Sequence, residues 1–443
     1  MGRVIAGALR FSGAPREALR LLQAQAVSME RMCGDQARAL GTIVSWAKGT
    51  APYFASTLPS LEQIEQDPVA ALGATPVLTK SLMRTEGVRL LANRKRAGVR
   101  RNTSGGSTGE PAVFYQDAAY RRWNRAGKLL FDHWTGVSAG HRKAVLWAVP
   151  SELADPKPWR RRLRERLWNR YTLNAYRMSD GNLRAYLDRL EADPPDQLQV
   201  YAESGFELGR FALAEGRRIN GITAVLSSAG TLYSDMRETM EEAFGAPVFN
   251  RYGSREVGDI ACECSMHRGL HVNPVTHYVE VLRDDDAPAA SGELGRVVVT
   301  SLTNFTQPLI RYEIGDMARW SEEECPCGSK WPLLAEVSGR VTDQLKAVDG
   351  TLVYGGALRQ FLYEMPYVQK YQWVQYRLEQ ITLRIVVDAN APPSELDWQR
   401  DVHWLEQEVQ EVLGDRIRLH VEIVDEIPPS PSGKHLYVRS EVE

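Results

Sequence analysis

A chain of 443 residues is too long for one ordinary core and implies two or three domains. Hydrophobic residues at 43% and charged residues at 25% are ordinary globular values, and a formal net charge of −2 excludes a nucleic-acid binder driven by bulk electrostatics. There is no apolar run of membrane-spanning length and no signal-peptide core in the first residues, and five cysteines do not make a disulfide framework. The expectation is therefore a cytoplasmic protein with no membrane span and no nucleic-acid partner.

Residues 16–95 carry mostly helical periodicity, as in Glu17-Ala-Leu-Arg-Leu-Leu22, with turns expected at Pro52, Pro59 and Pro76. A Gly/Ser stretch then interrupts, and Ala112-Val-Phe-Tyr115 reads as a strand. Lys143-Ala-Val-Leu-Trp-Ala-Val149 is nearly continuous in apolar residues, which suits a buried parallel strand. The basic run Arg160–Arg166 is broken by Leu163 and Glu165 and reads as a solvated helix face. Gln199–Tyr201, Ala224–Ser227 and Pro247–Asn250 resemble the strand at Lys143, with helical segments between them. One of these helices, Met236–Phe244, is ended by Gly245. Alternation of this kind predicts an α/β fold with a largely parallel sheet. Beyond residue 270 the texture changes to short β segments, His277–Leu282 and Gly295–Ser301. From about Gly339, strands at Ile381–Val387 and Ile417–Ile423 flank a helix at Trp398–Leu413, a small α+β domain.

The segment Asn102-Thr-Ser-Gly-Gly-Ser-Thr-Gly-Glu-Pro111 carries the first chemical signal. Gly105, Gly106 and Gly109 permit positive φ and close backbone approach, while Ser104, Ser107 and Thr108 add hydroxyl donors, so the loop is able to wrap phosphate oxygens. No Gly-Lys-Ser/Thr follows at the spacing of a Walker A loop. A polar linker is the bland alternative. A second cluster comprises Cys262, Cys264, His267, His271, Cys325 and Cys327, whose thiolates and imidazoles suit tetrahedral zinc; ordinary buried thiols are the alternative. Leu226-Ser-Ser-Ala-Gly-Thr231 sits where a strand end meets the next helix, the place where open α/β sheets hold ligands, and Ser228, Ala229 and Gly230 leave room there.

Four further segments complete a pattern. Asn250-Arg-Tyr-Gly-Ser-Arg-Glu-Val-Gly258 resembles the aromatic-Gly-x-x-Glu motif of adenylate-forming enzymes, and Pro308-Leu-Ile-Arg-Tyr-Glu-Ile-Gly-Asp316 their Tyr-x-x-Gly-Asp motif. Gly339-Arg-Val-Thr-Asp343 resembles the hinge motif, and Ser430-Pro-Ser-Gly-Lys434 the C-terminal lysine motif. With the Gly/Ser loop they stand in the family's order over nearly the whole chain, and they most resemble the phenylacetate–coenzyme A ligase-like branch and its CapK-like members.

The resemblance implies a large adenylation domain over residues 1–339, with a helical segment to about residue 95 and a β-rich, zinc-braced subregion at about 260–338, followed by a mobile lid at 340–443. It implies ATP- and Mg²⁺-dependent conversion of a small carboxylic acid to an acyl-adenylate with release of pyrophosphate, then transfer to coenzyme A. An amine, a hydroxyl or a carrier-protein thiol is the alternative acceptor, and a non-catalytic nucleotide-binding scaffold the remote alternative. By the same resemblance Ser104–Gly109 cradle the departing phosphates, and Tyr252, with Gly253 and Ser254, faces adenine. Glu256 offers Mg²⁺ a hard oxygen, Asp316 accepts from the ribose hydroxyls, and Arg340 assists on ribose or phosphate. Lys434 enters with the lid and bridges carboxylate and phosphate. The family's metal pattern points to Cys264, His271, Cys325 and Cys327, with Cys262 and His267 as substitutes. One departure stands out: Thr342 occupies the hinge position where an acidic residue is usual, and Asp343 follows it.

Overall fold

In a computed structural model, the continuous apolar runs of the middle of the chain become neighbouring strands of one eleven-stranded sheet. The structure describes residues 15–25, 27–94, 96–103, 112–138, 140–147, 163, 165–175, 178–340, 344–349, 352–354, 358, 361–362, 365, 367–389, 392–428 and 436–442. The chain divides into two compact units, Met1–Val337 and Ser338–Glu443.

The first unit opens with helices, among them Pro15–Ala24, Met29–Thr50, Pro52–Thr57, Leu61–Gln66 and Pro68–Gly73. The break expected at Pro52 is present: one helix ends at Thr50, Ala51 is extended, and Pro52 opens the next helix, where its missing N–H costs nothing. Ser60 and Gln63 form a reciprocal capping box, and Asp67 caps the next helix through the N–H groups of Val69 and Ala70. The strands β1 (Arg100–Thr103) and β2 (Val113–Gln116) pair antiparallel with Thr103 opposite Val113, so both ends of the Gly/Ser segment are held in one ribbon. The helix Ala118–Trp134 follows, its N-terminus capped by the buried carboxylate of Asp117, which accepts from the Tyr120 N–H at 2.9 Å.

Strands β3 (Lys143–Trp147), β4 (Arg170–Asn174), β5 (Gln197–Tyr201), β6 (Ala224–Ser228) and β7 (Val248–Ser254) run parallel in the order β4-β3-β5-β6-β7. The apolar character of the inner strands β3, β5 and β6 follows from burial on both faces. The helix Ser234–Phe244 between β6 and β7 stops at Gly245, which takes φ 58°. The sheet then changes sense. Strands β8 (Gly258–Glu263), β9 (Leu270–Val272), β10 (His277–Leu282), β11 (Gly295–Ser301), β12 (Tyr312–Trp320) and β13 (Leu333–Arg340) extend it in the order β8-β9-β13-β12-β11-β10, with antiparallel pairing at β7–β8, β8–β9, β9–β13, β12–β11 and β11–β10. The parallel part is thus confined to β3–β7, and the short segments expected after residue 270 form the antiparallel remainder. The N-terminal helices pack against that remainder in one core containing Leu40, Ile43, Phe54, Val299, Ile310 and Tyr312.

The second unit contains the pair β14 (Gln344–Lys346) and β15 (Leu352–Tyr354). It also has a four-stranded sheet of β16 (Val368–Arg377), β17 (Gln380–Val387), β18 (Arg418–Ile423) and β19 (Val438–Ser440), in the order β18-β17-β16-β19. The helix Glu395–Leu413, capped by Ser394, buries Leu405, Val409 and Leu413 in a core with Trp373, Leu383 and Ile385. This is the α+β arrangement expected of the C-terminal region.

Candidate active site and metal centre

The β7–β8 hairpin carries Tyr252, Gly253, Ser254 and Glu256. A Cβ on Gly253 would stand inside the contact distance of the Gly258 carbonyl oxygen and 2.9 Å from the Asp259 Cα, both backbone atoms, so only glycine fits. A register shift between Tyr252 and Gly253 marks the same close approach. The turn is held by three successive carbonyls. The Gln116 amide donates to the carbonyls of Arg255 at 3.0 Å and Glu256 at 3.2 Å, which ties the turn to the end of β2. His277 Nε2 lies 2.9 Å from the Val257 carbonyl and its Nδ1 2.9 Å from the Thr276 hydroxyl. Burial lowers the His277 pKa to about 4, so at neutral pH the ring is uncharged, with Nε2–H donating to Val257 and Nδ1 accepting from Thr276. Glu256 is buried on this gripped turn.

These contacts predict that Gly253→Ala forces the two backbones apart at a cost of about 3 kcal/mol. Urea unfolding monitored by circular dichroism measures this, and an unchanged midpoint would show the hairpin to be pliable.

Asp316 is set by two features of β12. Gly315 takes φ 91° where β12 bulges against β11, the register passing from Glu313–Val298 to Met317–Arg296. Arg311 leads into the strand at φ 47° with its guanidinium buried. It pairs with Glu280 at 3.1 Å and donates to the carbonyls of Gly73 at 3.1 Å and Thr75 at 2.6 Å, binding the strand to the N-terminal helices. The bulge brings Asp316 to Tyr252, whose hydroxyl donates to Asp316 Oδ2 at 2.9 Å. Two motifs separated by 64 residues thus meet directly.

At the end of β6, Ser228 is the register partner of Arg251 in β7 and so lies beside Tyr252 in the sheet. Ala229 takes φ 69°, a strained value for a residue with a Cβ, and a Cβ at Gly230 would require the Glu203 carboxylate to shift. Ser104, Gly105, Gly106, Ser107, Thr108 and Gly109 lie outside the described residues, as do Thr342, Asp343 and Lys434; of Arg340 only the backbone, at the end of β13, is described. The sequence reading singled out neither Gln116, Arg311 nor His277. Each acts on backbone carbonyls distant in sequence, and no local spacing announces such a bond.

The cysteine cluster converges. The ligand atoms of Cys264, His271, Cys325 and Cys327 all lie within 4.8 Å of one another. Cys264 Sγ is 3.6 Å from Cys325 Sγ, and Cys327 Sγ is 3.4 Å from His271 Nε2. A tetrahedron with Zn–S near 2.3 Å and Zn–N near 2.0 Å has edges of about 3.8 and 3.5 Å, so these two pairs stand near zinc spacing and the Cys264 and Cys325 sulfurs are too far apart for a disulfide. Burial raises the Cys264 thiol to about 12 and raises Cys327 as well, while it lowers His271. The two substitutes fall elsewhere. Cys262 is fully buried in the apolar core beneath Ala118–Trp134, and His267 Nδ1 contacts Glu263 at 3.0 Å. Trp134 and Trp331 pack edge to face beside the cluster, Trp134 lying 5.7 Å from the His271 ring.

Comparison with known proteins agrees with this architecture. A family described as CapK C-terminal domain matches residues 345–441. Protein CapK of Staphylococcus aureus is 26% identical over 386 residues, covering 85% of this chain and 81% of that protein. Phenylacetate-coenzyme A ligase of Thermus thermophilus is 30% identical over 149 residues, 32% of this chain and 33% of that protein. Among solved structures, 2-hydroxyisobutyryl-CoA ligase in the postadenylation state, in complex with 2-HIB-AMP, superposes with a TM-score of 0.74. It is 20% identical and covers 94% of this chain and 91% of that one. At that identity the likeness establishes the fold.

Proposed function

We propose that this chain, homologous to CapK and to phenylacetate-coenzyme A ligase, activates a carboxylic acid with ATP and passes the acyl group to coenzyme A. The observation that carries the reading is the 2.9 Å hydrogen bond from Tyr252 to Asp316, which joins the proposed adenine-facing and ribose-binding motifs in one locus. The carboxylate oxygen attacks the α-phosphorus, the bond to the bridging oxygen breaks, and pyrophosphate leaves. Negative charge gathers at the phosphorus oxygens, and preorganised donors are the means of lowering that barrier. The hydroxyls and N–H groups of Ser104–Gly109 hold the departing phosphates, and Asp316 accepts from the ribose hydroxyls. Arg340 assists on ribose or phosphate, and Lys434 neutralises charge on the carboxylate and α-phosphate. Glu256, a buried carboxylate on a turn fixed through three carbonyls, is the residue that would hold Mg²⁺, which supplies electrostatic stabilisation when bound. Cys264, His271, Cys325 and Cys327 are the residues that would hold a structural zinc, and four protein ligands would leave no open position for chemistry.

ATP–pyrophosphate exchange across a panel of acids tests the first half-reaction, and no exchange with any acid defeats it. Supplying coenzyme A, amines, alcohols and a carrier thiol to the adenylate tests the second, with thioester as the expected product. Tyr252→Phe removes the donor to Asp316 but keeps the ring. It is expected to raise the KM for ATP about tenfold, equivalent to about 1.4 kcal/mol, and to leave the KM for the acid within about twofold. Equal changes in both would mean that the bond serves the fold and not the nucleotide.

A further inference from the structure

Two buried arginines in the same sheet are treated differently. Arg311 has a carboxylate at 3.1 Å and two backbone carbonyls, so its donors are matched. Arg251, in β7, is also buried, at 9% exposure, yet its nearest carboxylate oxygen, on Asp259, is 3.8 Å away. Among the described residues no acceptor reaches Arg251 Nε, no donor reaches Asp259 Oδ2, and no acceptor reaches the side-chain amide of Asn273, which is 0% exposed. Burying such groups unmatched costs about 1–3 kcal/mol each, more for a charged one. The three residues share one face of the sheet. Arg251 lies opposite Cys262 and Asp259 opposite Gly253, while Asn273 follows β9 two places after His271, the partner of Cys262. The helix Ala118–Trp134 covers that face. Asn124 on this helix accepts from the Asp259 N–H at 3.3 Å, and Gly127 passes close to the Asn273 amide. The neighbour of Arg251 across the parallel pairing is Ser228, within the Leu226–Thr231 segment at the strand end where open α/β sheets hold ligands.

We infer that the acid accepted here carries a hydroxyl group, received between Arg251 and Asp259 with Asn273 donating to a second oxygen. The inference rests on the adenylation reading above and names its substrate class. A hydroxyl both accepts and donates, so a single one meets the Arg251 Nε–H and the Asp259 Oδ2 together. A second carboxylate suits Arg251 but is repelled by Asp259, and an ammonium group meets the reverse conflict. An unsubstituted aryl or alkyl chain leaves every one of these atoms unmatched, and sites built to hydrogen-bond a substrate hydroxyl reject the analogue lacking it.

The test uses matched acids on the whole chain: 4-hydroxyphenylacetate against phenylacetate, and 2-, 3- and 4-hydroxybutanoate against butanoate. ATP–pyrophosphate exchange and equilibrium binding, followed by tryptophan emission, are both recorded. At least one hydroxylated acid is expected to exceed its parent by about tenfold or more in exchange and in affinity. Arg251→Met combined with Asp259→Leu removes both members of the buried pair, avoids stranding one charge, and is expected to erase the preference while the thermal midpoint holds. Parent acids that match or exceed all hydroxylated ones overturn the inference, as does a double variant that keeps the preference. If no acid supports exchange, the adenylation reading falls, and the binding series still decides whether these buried groups receive a hydroxylated acid.

Discussion

Lys434→Ala is expected to release pyrophosphate roughly 10²–10³-fold more slowly than the parent, with the Kd for ATP changed less than about threefold. The reason lies in where charge develops. ATP already carries its phosphate charges when it binds, so on the proposed reading the ground state would be held by the Gly/Ser loop and by Asp316. The entering carboxylate adds a charge only as it closes on the α-phosphorus, and an ammonium group aimed there acts on the transition state. Lysine suits the task as a compact point charge, and Lys434→Arg, with its planar fork, is expected to recover only part of the rate. The variant should remain folded, because the second unit is held by Trp373, Leu383, Leu405 and Val409, far from position 434 in sequence. Single-turnover pyrophosphate release read beside equilibrium ATP binding separates the two effects. Near-parental release would remove Lys434 from the chemistry, and a loss of ATP affinity equal to the loss of rate would make it a binding residue.

Much of the fold was legible because it rests on local pattern. The run from Lys143 becomes β3, His277–Leu282 and Gly295–Ser301 become β10 and β11 with the same bounds, and Gly245 ends its helix at left-handed φ. The turn of the sheet from parallel to antiparallel at β8 was not legible, since a strand's own residues do not state its partner's direction. The site divides in the same way. Tyr252 and Asp316 were picked out by motif, and the structure joins them. Nothing in the motif foretold that the Glu256 turn hangs from Gln116 and His277, or that Arg311 anchors β12 to carbonyls at Gly73 and Thr75. Those bonds span from 20 to more than 230 residues and use ordinary polar side chains, so only packing reveals them. The four metal donors were separated from Cys262 and His267 by resemblance. The physical ground is visible in space: one substitute is sealed in an apolar core, and the other is engaged by Glu263.

Loss of a metal ligand carries the largest expected effect on stability. Cys264 follows β8, His271 lies in β9, and Cys325 and Cys327 sit in the connection from β12 to β13, where no regular element spans residues 321–332. Besides the buried Trp331 and a few backbone bonds at its ends, the proposed four-ligand ion would be a tie of that connection to the sheet. Cys325→Ser is expected to cost roughly 3–5 kcal/mol and, at about 2–4 °C per kcal/mol for a unit of this size, to lower Tm by about 10 °C. Trp331 and Trp134 report the event locally, since both rings pack beside the cluster and Trp331 Nε1 donates to the Ala24 carbonyl at 3.2 Å. Their emission should change with metal removal before global unfolding begins. The sign of the pH dependence follows from the protons that must leave. Burial keeps Cys264 and Cys327 as thiols in the metal-free site, so binding expels protons and acid favours release. Metal retained through dialysis at pH 8 should be lost progressively as the buffer approaches pH 5, with the tryptophan signal moving in step. Exchange activity should fall only as the unit unfolds, because a closed tetrahedral site supplies no group to the reaction. Purified protein lacking near-stoichiometric zinc, or a Cys325→Ser chain with the parent's Tm, would leave these four residues as packed thiols and an imidazole with no metal to hold.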